Sequence, residues 1–125
     1  MDEFEIGKDY SREYIHTVCG GSKHAFLPTR RGKVVAACLR MDLNPQAPDV
    51  VLCNSGAAAR AAGRTLAKQT NPIPVFIRSE TDRFRYVGQY ATDQSLTAPL
   101  ECAPYARNSS FTTGQISRVI KLKRC

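Results

Sequence analysis

Two histidines, His16 and His24, flank Cys19, so an imidazole base and a thiol lie close together in the sequence. A Cys–His pair of this kind can supply a nucleophile and its general base. No nucleophile motif surrounds these residues, and closeness in sequence does not define side-chain geometry. We therefore favour a thiol at a helix end with two surface imidazoles.

Other catalytic chemistry finds little support. A metal-dependent nuclease needs clustered carboxylates and histidines, whereas the acids here are scattered and fall mostly in predicted turns. The glycines Gly20 and Gly21 are not followed by the G-K-[ST] of a phosphate loop, and Gly56 and Gly63 lack its spacing. We predict a binding protein without catalytic residues, metal or cofactor, and expect any nuclease activity in another domain. The scattered acids are Asp42, Asp49, Glu80, Asp82 and Asp93.

The charge distribution favours a polyanionic partner. Lys and Arg total 18 and Asp and Glu 11, a net charge of +7. Residues 1–13 carry five acids against two bases, so the remaining 112 residues hold 16 bases and 6 acids. Such a balance is typical of nucleic-acid binding, although a basic soluble surface has the same composition. Residues 1–10 form an acidic terminus that is a candidate for disorder.

Length, composition and cysteine content narrow the class of protein. The 125 residues fit a single domain, 1–125, and 42% apolar content is globular. No apolar run approaches the ~20 residues that cross a bilayer, so we expect no membrane association. Five cysteines leave an odd thiol and none form C-x-x-C, which favours a reducing intracellular compartment, cytoplasmic or nuclear. Cys38 is expected to be a small buried hydrophobe.

Hydrophobic periodicity predicts an α+β fold. Ser11 is a candidate N-cap, and Gly20 and Gly21 are candidate terminators, of the first helix. Phe84, Tyr86, Gly88 and Tyr90 alternate on one face of a strand, which must be either core or a binding platform. The predicted elements are a helix at 11–19, strands at 34–39 and 49–53, a helix at 57–69, a hairpin of strands 73–78 and 84–90 around a loop at 79–83, a long loop at 93–114 and a strand at 116–122.

The second predicted helix combines a cationic stripe with a small-residue face. Arg60, Arg64 and Lys68 recur every four residues and share one side. The segment 54–56 precedes it and can cap it, or can present backbone N–H groups to a phosphate. The face expected to pack on the sheet consists of Ala58, Ala61, Ala62 and Leu66.

Three segments resemble SRA domains. The stretch 74–90 contains P-V-F-I-R and F-R-Y-V-G-Q-Y, similar to the closing hairpin of that family, with Val87 in place of an acid. The stretches G-K-V-V-A-A at 32–37 and D-V-V-L-C-N-S-G at 49–56 resemble the strands that frame the family's base pocket. L-N-P-Q-A-P-D at 43–49 is similar to SRA-like modules of modification-dependent HNH restriction endonucleases. The resemblance covers residues 20–91.

This resemblance implies a PUA-like, SRA-like, partly open and strongly twisted β-barrel with flanking helices. It also implies a DNA-binding reader of 5-methyl- or 5-hydroxymethylcytosine that flips the base, within a restriction or epigenetic system. The two aromatic positions that sandwich the base fall near Arg40 and Leu52, and Asp42 lies near the acid that accepts from the cytosine amino group. Arg40 can stack its guanidinium in place of a ring. The implied base pocket comprises Arg40, Met41, Asp42, Asn44, Leu52, Asn54 and Ser55.

Two further residue sets complete the expected interface, because an extruded base needs planar groups and the backbone needs cations. Stacking candidates are Phe26, Tyr86, Tyr90 and Tyr105. Candidates for the nucleic-acid backbone are Lys23, Arg30, Arg31, Arg60, Arg64, Lys68, Arg78, Arg83 and Arg85. Two alternatives remain open: an RNA-binding PUA-like domain, since such barrels suit unpaired bases, and a basic module that binds an acidic protein.

Overall fold

The computed structural model describes residues 3–107 and 109–125. Helices and strands alternate along the chain, with a short 3-10 turn before the last strand. The elements are β1 (Asp9–Tyr10), α1 (Arg12–Cys19), β2 (Thr29–Arg30), β3 (Lys33–Val34), β4 (Ala37–Leu39), β5 (Val50–Asn54), α2 (Ala57–Lys68), β6 (Ile73–Glu80), β7 (Arg83–Leu96), α3 (Pro99–Ala106) and β8 (Ile116–Arg124).

One mixed sheet forms the body of the protein. Its strand order is β4-β6-β7-β8-β5, and β1 adds to β7. The β4–β6 pair is parallel and the other pairs are antiparallel. The two end strands, β4 and β5, are not hydrogen-bonded to each other, so the barrel that the sheet forms is only partly open. The predicted α+β class and barrel architecture are confirmed.

The helix α1 follows the predicted signals closely. The Ser11 side chain accepts a hydrogen bond from the Tyr14 amide at 3.1 Å, which satisfies an otherwise unpaired N–H of the first turn. Gly20 ends the helix at φ 84°, a conformation that side chains disfavour. Ile15 is buried and anchors the helix to the sheet. Phe4, within the acidic terminus, packs against Tyr10, Phe76 and Tyr86; residues 1 and 2 lie outside the described part of the chain.

The packed face of α2 differs from the predicted one. Ala59, Gly63 and Leu66 are buried, whereas Ala58 and Ala61 are exposed, because the helix is rotated towards its other small residues. A Cβ on Gly63 would come within 2.9 Å of the Cys53 sulfur, so the absence of a side chain permits the close approach of α2 to β5. The prediction that small residues of this helix pack against the sheet is confirmed. The prediction was wrong for Ala58 and Ala61, which do not belong to the packed face.

The predicted hairpin of β6 and β7 is confirmed, with Phe76 opposite Tyr86. Both strands run further than predicted, and only residues 81–82 separate them. The face that carries Phe84, Tyr86, Gly88 and Tyr90 is buried, so it belongs to the core.

Residues 93–114 are not the long loop that their polarity predicted. Strand β7 continues to Leu96, because β8 offers backbone partners that a sequence window cannot reveal. The helix α3 follows and buries Cys102 and Ala106 against β8 and β5 residues. Asn108, within the predicted loop, lies outside the described residues.

The predicted strand 34–39 is two strands. Val34 pairs with Thr29 in the β2–β3 hairpin, and Ala37 pairs with Val75 in the main sheet. The last strand extends two residues beyond its predicted end. All five cysteines are free thiols. Within residues 3–107 and 109–125, no helix has the length and apolar character needed to cross a bilayer.

Candidate functional site

A cleft of about 1050 Å³ opens where the barrel fails to close. Cys38 of β4 lines it from one sheet edge, and Leu52 and Asn54 of β5 line it from the other. The first turn of α2 and residues 22–29 provide two more walls. The opening between these two end strands of the sheet therefore creates a concave site whose lining is partly apolar.

Asn44 joins the two edges beneath the cleft. Its side-chain oxygen accepts a hydrogen bond from the Leu52 amide at 2.8 Å, and its backbone amide donates to the Arg40 carbonyl at 2.7 Å. The residue is only 3% exposed, so these bonds form away from water. Asn44 thus provides a hydrogen-bond partner for a backbone amide on the outer edge of β5 and positions the segment that follows β4.

Arg12 holds residues 22–26, which form one wall of the cleft, through side-chain hydrogen bonds. Its Nη2 donates to the carbonyls of Ser22 and Ala25 at 2.9 and 2.8 Å. Its guanidinium lies 5.6 Å from the centre of the Phe84 ring, within the range of a cation–π contact. Its Nε is buried without a hydrogen-bond partner among the described residues, which leaves an unused donor beside the cleft.

Three phenylalanines line the cleft: Phe26, Phe84 and Phe111. Phe84 is buried beneath Arg12, whereas Phe26 and Phe111 are only partly buried and retain exposed ring surface. The Phe26 carbonyl accepts the Cys38 amide at 2.8 Å, which holds this segment along the edge of β4.

Phe111 enters the cleft from the far end of the chain. The neighbouring Ser110 donates through its hydroxyl to the Asp42 carbonyl at 2.9 Å, and its amide donates to the same carbonyl. Ser109 accepts the Phe111 amide at 3.1 Å. These bonds join the segment before β8 to the segment after β4.

The three tyrosines predicted to stack are placed elsewhere. Tyr86 and Tyr90 are each 6% exposed and lie in the core, where neither ring has a free face. Tyr105 packs on α3 against the cluster around Leu96 and Cys102. None of the three lines the cleft.

The predicted pocket residues divide into three groups. Arg40, Asn44, Leu52 and Asn54 line the cleft. Met41 and Asp42 line a neighbouring depression of about 350 Å³, which shares Arg40 and Arg78 with the cleft. Ser55 lines neither, and its hydroxyl donates to the Gly114 carbonyl at 3.2 Å.

Two ion pairs lie on the rim. Arg40 grips Asp42 with two hydrogen bonds of 3.1 and 2.7 Å, and these bonds lower the pKa of the Asp42 carboxyl. Lys23 lies 2.7 Å from the Glu13 carboxylate and lowers the pKa of that group in the same way. Because the side chains in both pairs are about half exposed or more, the pairs contribute little to stability and can open.

The predicted phosphate-binding cations occupy different surfaces. Lys23 and Arg78 line the cleft. Arg83 and Arg85 pair with Glu80 and Asp9 on the β6–β7 hairpin. The remaining candidates are Arg30 and Arg31 on the β2–β3 hairpin, and Arg60, Arg64 and Lys68 on α2.

The cationic row of α2 does not face the cleft. Ala57, Ala58, Ala59 and Ala62 line it, whereas Arg60, Arg64 and Lys68 do not. Arg60 and Arg64 each lie two positions from Ala62. With 3.6 residues per turn, that offset turns them roughly 160° away. All three side chains of the row are exposed to solvent.

The start of α2 opens into the cleft. Gly56, Ala57 and Ala58 line it, and among the described residues no side chain caps the helix. The Gly56 amide donates to the Asn54 side-chain oxygen at 2.8 Å, and the amides of the first helical turn have no intrahelical acceptor. A helix start of this kind carries a partial positive charge that favours anions.

Metal and thiol chemistry find no support in this geometry. Within the ranges that the structure describes, no three His, Cys, Asp or Glu side chains group as metal ligands. Burial raises the pKa values of Cys38 and Cys53 to about 12, so neither thiol ionises near neutral pH. Cys19 also has a raised pKa because of burial.

A family model matches residues 9–121 and carries the description "Domain of unknown function (DUF6697)". The chain belongs to this family. No curated protein matches the DUF6697 chain. Its fold is that of SRA domains, as two solved structures show at 12% and 13% identity.

The first is the SUVH5 SRA domain in complex with hemi-methylated CG DNA, with a TM-score of 0.68 over 100% of this chain and 91% of that chain. The second is the SUVH5 SRA domain bound to fully hydroxymethylated CG DNA, with a TM-score of 0.62 over 98% of this chain and 90% of that chain. At such identities the match concerns the fold, and the suspected SRA resemblance is confirmed at that level.

The cleft residues of this DUF6697 domain that sequence reasoning missed include Arg12, Phe84, Phe111 and Ala62. Phe111 stood alone in a polar stretch, and an isolated apolar residue in such a stretch is the one signal that it packs or binds. Arg12 gave no signal, because its partners are backbone carbonyls ten and thirteen residues away.

Proposed function

We propose that this DUF6697 domain binds DNA and recognises 5-methyl- or 5-hydroxymethylcytosine by accepting the extruded base into the cleft. The observation that carries the proposal is the cleft itself, at the opening of an SRA barrel that matches over the whole chain. Both structural neighbours are complexes with modified CG DNA.

The apolar part of the cleft lining suits a nucleobase with a small substituent. The cleft volume of about 1050 Å³ lies just above the ~300–1,000 Å³ typical of ligand sites, so it leaves room for an extruded nucleotide. Leu27, Cys38 and Leu52 make part of the lining apolar. A methyl group at C5 gains free energy when it is buried on such a surface, because apolar area leaves water.

Phe26 and Phe111 are the rings that we propose to stack on the base. Extrusion costs a few kcal/mol of lost stacking, and each base–ring contact returns ~1–3 kcal/mol. Both rings line the cleft and keep exposed surface, unlike the buried tyrosines. They replace the aromatic positions that fall near Arg40 and Leu52.

Polar groups on the rim complete the proposed interface. Asn54 is half-buried in the cleft and presents an amide that can read the Watson–Crick edge of a base. Arg40, Arg78 and Lys23 line the cleft, and so do the residues at the start of α2, whose amides lack intrahelical acceptors. These cations and amides suit the phosphates that flank an extruded nucleotide. We further propose that the domain is the reader module of a restriction or epigenetic system and acts inside the cell.

The test is a fluorescence-anisotropy titration with three duplexes that differ only at one central CG: unmodified, 5-methyl and 5-hydroxymethyl. We expect the modified duplexes to bind at least tenfold more tightly, and an adjacent 2-aminopurine to brighten when the base leaves the stack. Equal affinities would refute modified-base reading. Tighter binding of a single-stranded RNA competitor would favour the RNA alternative instead.

A further inference from the structure

The β2–β3 hairpin concentrates three cations at its tip. Arg30 lies opposite Lys33, and Arg31 and Gly32 form the two-residue turn between them. All three basic side chains are exposed, and none takes part in an ion pair among residues 3–107 and 109–125. Thr29, at the base of the hairpin, lines the cleft.

Two features of this tip oppose folding. Arg31 adopts φ 53° and Gly32 φ 78°, as a turn with positive φ at both central residues requires. Asn, Asp and Gly suit the first of these positions, whereas a long side chain is disfavoured there. Arg30 and Lys33 are directly opposed like charges, which destabilise a strand pair.

The base of the hairpin is held firmly despite its charged tip. The Gln69 side chain accepts the Val34 amide at 2.5 Å and donates to the Val34 carbonyl at 3.0 Å, in the manner of a neighbouring strand. The Val35 amide donates to the Pro28 carbonyl at 2.9 Å. The Arg30 side chain crosses Gly20, where an added Cβ would come within 2.5 Å of its Cδ.

We infer that this hairpin is a preorganised phosphate-binding finger, which contacts the DNA backbone beside the nucleotide that occupies the cleft. The inference rests on the proposed function. Unpaired cations held at a local cost in stability are typical of positions retained for binding. Backbone contacts carry no base information, so the finger contributes affinity to every duplex and no discrimination between modifications.

The test is the variant R30T/R31N/K33T, which keeps a hairpin sequence and removes three charges. We expect its melting temperature to rise, because Asn suits the turn and the opposed charges are gone. We expect affinity to fall about tenfold or more equally for unmodified and modified duplexes. The slope of log affinity against log salt should flatten by up to ~2.7, at ~0.9 for each lost phosphate contact.

The variant R60Q/R64Q/K68Q is the matched control, because it removes the same charge from exposed α2 side chains that do not line the cleft. We expect a smaller loss of affinity in this control. An equal loss in both variants would attribute the effect to net charge and overturn the inference. An unchanged affinity of the hairpin variant, a lower melting temperature, or a selective loss of the modified duplexes would also overturn it.

The experiments distinguish a hairpin that does not bind the DNA backbone from a domain that does not read modified bases. If the native protein binds the three duplexes equally, base reading fails, yet the hairpin variant still reports whether the finger contacts DNA. If the native protein binds no duplex, both proposals fall.

Discussion

The side-chain oxygen of Asn44 accepts the backbone amide of Leu52 at 2.8 Å across the gap between the two sheet edges. Leu52 lies in the strand whose outer edge has no β-strand neighbour, so this bond substitutes for a missing ladder contact. The pair fixes the floor of the cleft, because Leu52 and Asn44 both line it.

Asn44→Ala should destabilise the protein by ~1–3 kcal/mol, since it leaves the buried Leu52 amide without its partner. Urea denaturation measures the change. Asn71→Ala is the control, because Asn71 is exposed in a turn and surface changes stay within ~0.5 kcal/mol. Equal effects at the two positions would show that the bond across the gap contributes nothing.

Phe26→Ala and Phe111→Ala should each weaken binding of the modified duplex by ~5- to 150-fold, as ~1–3 kcal/mol per stacked base implies. Phe26→Tyr and Phe111→Tyr should retain most of the affinity, because the ring face is preserved. Leu100→Ala, at a residue 90% exposed and away from the cleft, controls for loss of apolar surface. Unchanged affinity in both alanine variants, with native melting curves, would remove the rings from the base site.

Asp42→Asn should increase affinity for every duplex severalfold, because it releases the Arg40 guanidinium from a two-bond ion pair at the mouth of the cleft. The salt slope should steepen by ~0.9, corresponding to one new phosphate contact. A selective loss of modified-duplex binding would instead show that the Asp42 carboxylate leaves Arg40 and accepts from the cytosine amino group.

The buried thiols should make stability fall at alkaline pH. The pKa values of Cys38 and Cys53 are raised from 9.0 to about 12 by burial, so the folded state holds protons that the unfolded state releases. Their contribution is complete below pH 9 and is lost as pH rises towards 12. Unfolding free energies of the native protein and of C38A/C53A between pH 8 and pH 10.5 check this.

We expect the unfolding free energy of the double variant to fall less steeply at alkaline pH than that of the native protein.

A native thiol that reacts rapidly with a disulfide reagent at pH 8 should be Cys125, which is exposed, and not Cys38 or Cys53. Rapid labelling of either buried thiol in the folded protein would contradict their placement.

Local rules predicted the elements that depend on neighbours in sequence. Ser11 caps α1 and Gly20 ends it, because an N-cap oxygen and a positive φ act within a few residues. Alternation of apolar residues grouped Phe84, Tyr86 and Tyr90 on one face of β7 without deciding between core and binding platform, and the predicted end of α2 at residue 69 lies one residue beyond the observed end. The same rules failed at 93–106, where strand and helix form only because β8 and the core beneath α3 receive them.

The sequence alone therefore determined the α+β class, the β6–β7 hairpin and the segments around Arg40 and Asn54, since periodicity, turn chemistry and the SRA-like phrases are local properties. Tertiary structure alone decided that the barrel stays open between β4 and β5, that Tyr86 and Tyr90 fill the core, that Phe111 reaches the cleft, and that Arg60 and Arg64 turn away from it. The physical reason is that sheet closure and helix rotation are set by packing between residues far apart in the chain, and such packing has no signature in a short window of sequence.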